Sequence, residues 1–234
     1  ASGEWRVRVR AKDGAVETLR ARVLISGVGQ LNRPKLPDID GLDRFRGPAF
    51  HSACWDHSVS LAGKRVAVIG SGASAFQLVP EIATQAAQVY TFQRTPQWMF
   101  PNPDYHRAVS PGANWCFRHL PYYGRWYRFL LFWPATDGTW EVTFVDPEWP
   151  HQERSINAIN EFTREMFAGW IRQQCGDDEA LFQRVLPAYP PLARRTLQDN
   201  GSWLQALRRD NVQLVDREGT ALTQTAVRAA DGGE

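Results

Sequence analysis

Gly70-Ser71-Gly72-Ala73-Ser74-Ala75 follows directly on an apolar run, Val66-Ala-Val-Ile69, and opens a stretch with helical periodicity. A glycine-rich turn between a strand and a helix can hold a dinucleotide pyrophosphate. Gly70 permits the tight bend and Gly72 lets the pyrophosphate approach the backbone, while Ala75 stands where a third glycine often sits and allows close helix-strand packing. Free N–H groups and the dipole of the helix favour an anion at its first turn. Ser71, Ser74 and Gln77 complete the expected cofactor contacts of this turn. The next strand, Val89-Tyr-Thr-Phe92, leads into Gln93-Arg94-Thr95. Sites that bind NAD usually place an acid there for the ribose 2′-OH. Here there is none, and Arg94 with Thr95 offers forked, charge-assisted hydrogen bonds and a hydroxyl suited to a 2′-phosphate. The expected nucleotide is NADP(H); the plain alternative for Arg94 is a solvated surface arginine.

These residues need a frame. Gly63–Ile69 reads as a parallel strand buried on both faces, and Ser74–Ala87 as a helix with Ala75, Leu78, Val79, Ile82 and Ala86 on one side. With strand 89–92 they make one β-turn-α-β unit. Upstream, residues 5–10 alternate apolar and basic, Asp13-Gly14 makes a turn, and Glu17–Arg22 is extended, which predicts a hairpin. Val23–Gly29 reads as an apolar strand ending in glycines, and residues 32–48, rich in Pro and Gly, as an ordered connector. Downstream, Asn114–Leu186 is helical and aromatic. There Ile156, Ile159, Phe162, Met166, Phe167 and Trp170 recur at helical spacing before a terminating Gly176. Ser202–Arg209 predicts a short helix, and Val212–Val215 and Thr225–Arg228 predict strands. The helical block therefore reads as an insertion in a Rossmann-like domain.

Composition narrows the function classes. A net charge of +2 over 234 residues gives no reason to expect nucleic acid or an anionic membrane as partner. Cys54, Cys116 and Cys175 lack metal-type spacing, so no metal site is expected, and their odd number suits a reducing, cytoplasmic setting. No apolar run approaches the ~20 residues that span a bilayer. The greasiest stretch, Trp126–Trp133, contains Arg128 and stops at Pro134; it reads as a buried or pocket-lining helix, with contact at a membrane surface as the lesser reading and no stable insertion. Neither end resembles a natural domain terminus, and an internal fragment is expected. Oligomeric state is not legible.

A second pattern precedes the glycine turn: Phe45-x-Gly47-x-x-x-His51-x-x-x-Trp55-Asp56. Followed by the turn ending Ser74-Ala75, it resembles the flavin-dependent Baeyer–Villiger monooxygenases, in which this fingerprint joins an FAD domain to an NADP domain. Related N-hydroxylating and general flavin-containing monooxygenases typically carry Tyr or Phe where Trp55 stands. Tyr123-Gly-Arg-Trp-Tyr127 and Val145-Asp-Pro-Glu-Trp149 are similar to the 4-hydroxyacetophenone monooxygenase subgroup.

The resemblance implies an α/β fold: a Rossmann-like NADP-binding domain with a helical insertion, plus a β-rich remnant of the FAD domain of a two-dinucleotide-domain flavoprotein. Residues 1–44 would belong to the FAD domain, 45–62 to the fingerprint linker, 63–101 and 187–234 to the NADP domain, and 102–186 to the insertion. The implied cofactors are FAD and NADP(H). The implied reaction inserts one oxygen atom of O2 beside a ketone carbonyl through a flavin C4a-peroxide, giving an ester or lactone. Heteroatom oxygenation, or an NADP-binding fragment inactive by itself, are the competing readings. The family needs two glycine-rich turns, and this sequence has the second.

Residue roles follow from the same resemblance. On residue type alone, Arg194-Arg195 is a solvated face. Matched to the family's Lys-Arg pair, Arg194 joins Arg94 and Thr95 on the 2′-phosphate, and Arg195 becomes the catalytic arginine, a fixed cation beside an anionic oxidant. Arg for Lys at the first position keeps the charge and alters its geometry. His51 is expected to position the linker as a structural histidine donating to a backbone carbonyl, with a direct effect on NADPH oxidation as the lesser reading. Trp55 is expected as a packed anchor, and Gln30, after Gly27 and Gly29, as a cofactor contact.

Overall fold

The computed structural model describes residues 3–216, 221–223 and 226–228. By internal contact the chain divides into two compact units, one of Ala1–Asp38 with Ala49–Asp56, the other of Ile39–Pro48 with His57–Glu234.

In the first unit, β1 (Trp5–Arg10) pairs antiparallel with β2 (Val16–Ala21), placing Val7 opposite Leu19 and Val9 opposite Glu17. The predicted turn closes the hairpin: Ala11 N donates to Ala15 O at 2.9 Å, Asp13 Oδ1 accepts from Ala15 N, and Gly14 takes a positive φ of 88°. Val23–Gly29 is not a strand. It is irregular, and Ile25 is 86% exposed. Apolar, β-branched composition suits a strand, but a strand also needs a hydrogen-bonding neighbour, and among the described residues none pairs with this run.

The second unit is built on a parallel sheet in the order β3 (Arg65–Ile69), β4 (Gln88–Gln93), β7 (Val212–Asp216). Val66, Val89 and Val212 share one row across it. β4, flanked on both sides, is the buried strand, with Val89 and Thr91 fully enclosed. β3 departs from the expectation of burial on both faces. It is an edge among the described strands, with Val66, Val68 and Ile69 half-buried and Ala67 exposed.

α1 (Ala73–Ile82) returns the chain from β3 to β4 and buries Ala75, Phe76, Val79 and Ile82, while Leu78 is only half-buried. It ends five residues before the expected Ala87. The Asn211 side chain donates to the carbonyls of Ala83 at 2.9 Å and Ala86 at 3.1 Å, and the Thr84 hydroxyl donates to Glu81 O, so those groups are satisfied without another helical turn.

Two three-residue strands, β5 (Met99–Pro101) and β6 (Leu197–Asp199), pair in parallel and bracket the helical block. That block holds α2 (Pro111–His119), α3 (Tyr123–Phe132), α4 (Ala158–Cys175) and α5 (Glu179–Val185). α6 (Ser202–Leu207) then leads to β7. Its Trp203 ring stacks on Phe76 of α1, with centroids 5.2 Å apart. Beyond it, β8 (Ala221–Leu222) and β9 (Val227–Arg228) pair antiparallel; Thr225, the start of the predicted last strand, lies outside the described residues.

Burial in the helical block is set by partners as well as by residue type. α4 turns Asn160, Phe167, Ile171 and Cys175 inward, leaving Ile159, Met166 and Phe162 (69% exposed) outside. Asn160 takes an inward place because its amide donates to Val142 O and Pro191 O, both at 3.1 Å. Of the six apolar residues at helical spacing, Phe167 is buried, Ile156 and Trp170 are half-buried and the other three are exposed, so the spacing marks the helix without marking its core face. The stretch Trp126–Trp133 is not the buried helix expected: Trp126, Leu130, Leu131 and Phe132 are all exposed. The α2–α3 hairpin is one layer thick, joined by Phe117 against Tyr123 and Tyr127, and a single layer cannot cover both of its faces. No helix among the described residues is long and apolar enough to cross a membrane.

Candidate nucleotide-binding site

The glycine turn sits at the C-terminal end of β3, where open α/β sheets hold their ligands. Gly70 N donates to Phe92 O at 2.9 Å, tying the turn to β4, and Gly70 has φ 111°, a conformation closed to ordinary L-residues. Ser71 is buried and its hydroxyl donates to Thr95 O at 3.2 Å. One hydrogen bond therefore joins the two sequence-predicted segments, Gly70–Ala75 and Arg94-Thr95. Gln97 Nε2 donates to the same Thr95 carbonyl at 2.9 Å.

Gly72 caps α1 and offers no side-chain acceptor, and the first turn carries no acid. The first backbone bond returning to the cap is Phe76 N to Gly72 O, so the N–H groups of Ala73, Ser74 and Ala75 have no helical acceptor. A Cβ built on Gly72 would meet no atom within 4 Å, so the space beside it is open. Uncapped donors, an open glycine and the absence of a carboxylate fit the pyrophosphate of a dinucleotide. Ala75 is buried against the sheet, as close helix packing requires. Ser74 and Gln77 are exposed, and Gln77 donates to Ala73 O at 3.0 Å.

Arg94 is exposed immediately after β4. Gln93 before it is buried and donates to Arg184 O at 2.8 Å, while Arg184 donates to Leu214 O, which fixes the strand end from which Arg94 projects. Arg194 and Arg195 are also exposed. The Arg194 guanidinium lies 4.9 Å over the Tyr189 ring, and the Tyr189 hydroxyl donates to Pro96 O at 3.0 Å, so this arginine is connected to the segment bearing Arg94 and Thr95. Burial raises the Tyr189 pKa, opposed by a hydrogen bond with the Trp98 backbone and by the nearby Arg194 charge. The sequence reading missed Tyr189, whose only signal was its place before Pro190-Pro191.

Gln30 and His51 belong to the other unit. Gln30 is an exposed loop residue after Gly29, which has φ 74°. His51 corrects one expectation: its Nδ1 accepts from Ala53 N at 3.0 Å, capping a short 3-10 turn, Ser52–Cys54, where donation to a carbonyl was expected. The turn needs an acceptor for a free N–H, and the imidazole supplies it. Trp55 packs edge-on against Phe50, with centroids 5.1 Å apart. The fingerprint is shared between the units: Phe45 and Gly47 fall in one, His51, Trp55 and Asp56 in the other. A Cβ on Gly47 would lie 2.6 Å from the Phe45 ring, so the Phe-x-Gly spacing reflects a ring packed on a glycine. Among the described residues no cluster of His, Cys, Asp and Glu could hold a metal ion.

Comparison with known proteins finds similar chains in sequence and in structure. Residues 1–107 match the flavin-binding monooxygenase-like family. The chain is 40% identical over 227 residues to the uncharacterized monooxygenase y4iD of Sinorhizobium fredii, covering 97% of this chain and 34% of that protein. It is 36% identical over 224 residues to a Baeyer–Villiger monooxygenase of Streptomyces coelicolor, covering 93% and 39%. Among solved structures, OTEMO in complex with FAD and NADP superposes with a TM-score of 0.72 at 25% identity, over 98% of this chain and 49% of that one. Cyclohexanone monooxygenase from Rhodococcus sp. Phi1 bound to NADP+ gives 0.70 at 26%, over 97% and 46%. The chain thus spans less than half the length of each of these relatives.

Proposed function

We propose that this chain, which belongs to the flavin-binding monooxygenase-like family, forms the NADP(H)-binding part of an FAD- and NADPH-dependent Baeyer–Villiger monooxygenase. The observation that carries the proposal is the uncapped first turn of α1, joined through the Ser71–Thr95 hydrogen bond to a strand end bearing Arg94 and no acid. The substrates of the intact protein would be a small ketone and O2, and its product an ester or lactone.

When bound, NADPH supplies a hydride and FAD supplies oxygen activation. The chain's own residues bind and orient. Ala73, Ser74 and Ala75 present backbone N–H groups to the pyrophosphate, with Ser71 holding the turn and Gln77 at the flank. Arg94, the Thr95 hydroxyl and Arg194 would hold the 2′-phosphate. Arg195 would supply a fixed cation beside the reaction centre. His51 shapes the linker by capping residues 52–54, and Gln30 is the candidate cofactor contact of its own unit. A reducing cytoplasm is the setting that suits an odd number of cysteines without metal-type spacing.

As an isolated chain these residues bind nucleotide without turnover. Steady flavin-dependent NADPH oxidation by the 234-residue chain alone would contradict that statement. For the intact protein, product analysis with a ketone and a sulfide is the test. Ester or lactone is expected; sulfoxide without ester would replace the proposal with heteroatom oxygenation.

A further inference from the structure

We infer that Tyr189 is the positioning residue for the phosphate-reading arginine: its ring carries the Arg194 guanidinium while its two polar ends grip the segment that follows Arg94 and Thr95. The inference rests on the NADP(H) reading above and deepens it.

Both ends of Tyr189 are held by one short stretch of chain. Its backbone carbonyl accepts from Trp98 Nε1 at 2.8 Å, and its hydroxyl donates to Pro96 O at 3.0 Å. Trp98 is fully buried and sets its ring edge-on to Tyr189, with centroids 6.5 Å apart. A ring anchored at both ends cannot swing away from residues 96–98, the direct continuation of Arg94-Thr95. Past the ring the backbone is fixed again. Pro191 is fully buried and its carbonyl accepts from Asn160, and Leu192 follows in the left-handed region at φ 65°.

On this platform the two arginines differ. Arg194 rests its guanidinium on the aromatic face, whereas Arg195 meets no ring or carboxylate among the described residues. Stacking covers one face of a guanidinium and leaves its edge N–H groups outward, the edge that pairs with phosphate. It also removes rotamer freedom before the ligand arrives, so less is lost on binding. An ammonium has no flat face to stack in this way.

The test is calorimetric titration of the protein with 2′,5′-ADP and with 5′-ADP, which differ only in the 2′-phosphate. Tyr189→Leu is expected to weaken 2′,5′-ADP roughly three- to tenfold and to leave 5′-ADP unchanged. In an Arg194→Ala background the same change should have no further effect on 2′,5′-ADP. Equal weakening of both ligands, no weakening of either, or an undiminished effect without Arg194 would each overturn the inference. If Tyr189→Leu does not fold, Tyr189→Phe keeps the ring and loses the Pro96 tether; it should weaken 2′,5′-ADP by roughly two- to threefold, and wild-type affinity would overturn the inference. Arg194→Ala separates the two levels. If it leaves 2′,5′-ADP binding intact, the phosphate reading fails as well. If it weakens binding while the Tyr189 variants do not, only the role of Tyr189 falls.

Discussion

Asn160 couples the helical block to the arginine pair, and removing its amide should damage both stability and nucleotide affinity. The side chain is wholly buried. Its Nδ2 donates to Val142 O and Pro191 O, and its Oδ1 accepts from Ile156 N at 3.4 Å. Asn160→Leu keeps a comparable shape and leaves both carbonyls and the Ile156 N–H without this partner. A buried polar group that loses its partner costs about 1–3 kcal/mol. The Ile156 bond is long and contributes least, and the added apolar carbon offsets part of the loss. A net destabilisation of about 2–4 kcal/mol follows. In urea denaturation, with a slope near 2 kcal/mol/M, the midpoint should fall by about 1–2 M. Because Pro191 anchors the backbone leading to Arg194, 2′,5′-ADP affinity should fall in the same variant under conditions where it remains folded. A variant within about 0.5 kcal/mol of wild type, with unchanged affinity, would refute the reasoning: the two carbonyls would not depend on Asn160.

Three further outcomes are expected. Gly70→Ala forces a Cβ into φ 111°; a cost of about 1–3 kcal/mol and loss of NADPH binding are expected by thermal melts and fluorescence titration, and a neutral effect on both would count against the turn geometry. Asp199 is fully buried, and that burial raises its pKa, opposed by hydrogen bonds from Trp170 Nε1 and from the Gly201 and Trp203 backbones. Its neutral form is therefore favoured by folding, so the contribution of this group to stability is greatest below the ordinary carboxylate range and is lost as pH rises through the elevated value. Asn at this position does not titrate, so the stability of Asp199→Asn minus that of wild type should rise across that window and then level off; a falling difference would contradict the sign. In the intact enzyme, Arg195→Ala should lower product formation about 100-fold with NADPH affinity kept, and parallel loss of both would reassign Arg195 to binding.

The parts that were legible in the sequence are local. The strand from Arg65, the turn at Gly70 and the strand from Gln88 lie within one short stretch, and the residue types that force each step stand beside one another. Gly176 is legible as a helix stop for the same reason: its positive φ of 60° is a property of the residue itself. What was hidden depends on distant partners. The strands Met99–Pro101 and Leu197–Asp199 are three residues each and exist through pairing across the whole helical block. Helix 73–82 stops early where Asn211, far along the chain, takes the carbonyls of Ala83 and Ala86 just beyond it. Asn160 faces inward because Val142 and Pro191 require a donor, which no hydrophobic count can show. Trp126–Trp133 carries the composition of a buried helix, but burial depends on what lies above it. Among the proposed site residues, Gly70, Gly72 and Arg94 stand out by type and spacing, whereas Tyr189 acquires its place only from contacts with Pro96, Trp98 and Arg194.

The central claim is that the turn at Gly70 and the cations at Arg94 and Arg194 form a site for NADP(H). Equilibrium titration of the protein with NADPH and with NADH, followed by nicotinamide fluorescence, tests it most directly. The account predicts NADPH binding at least about tenfold tighter, the worth of one or more charge-assisted contacts to the 2′-phosphate, with the preference largely removed by Arg94→Ala. Equal affinity for the two nucleotides, or tighter binding of NADH, would contradict it.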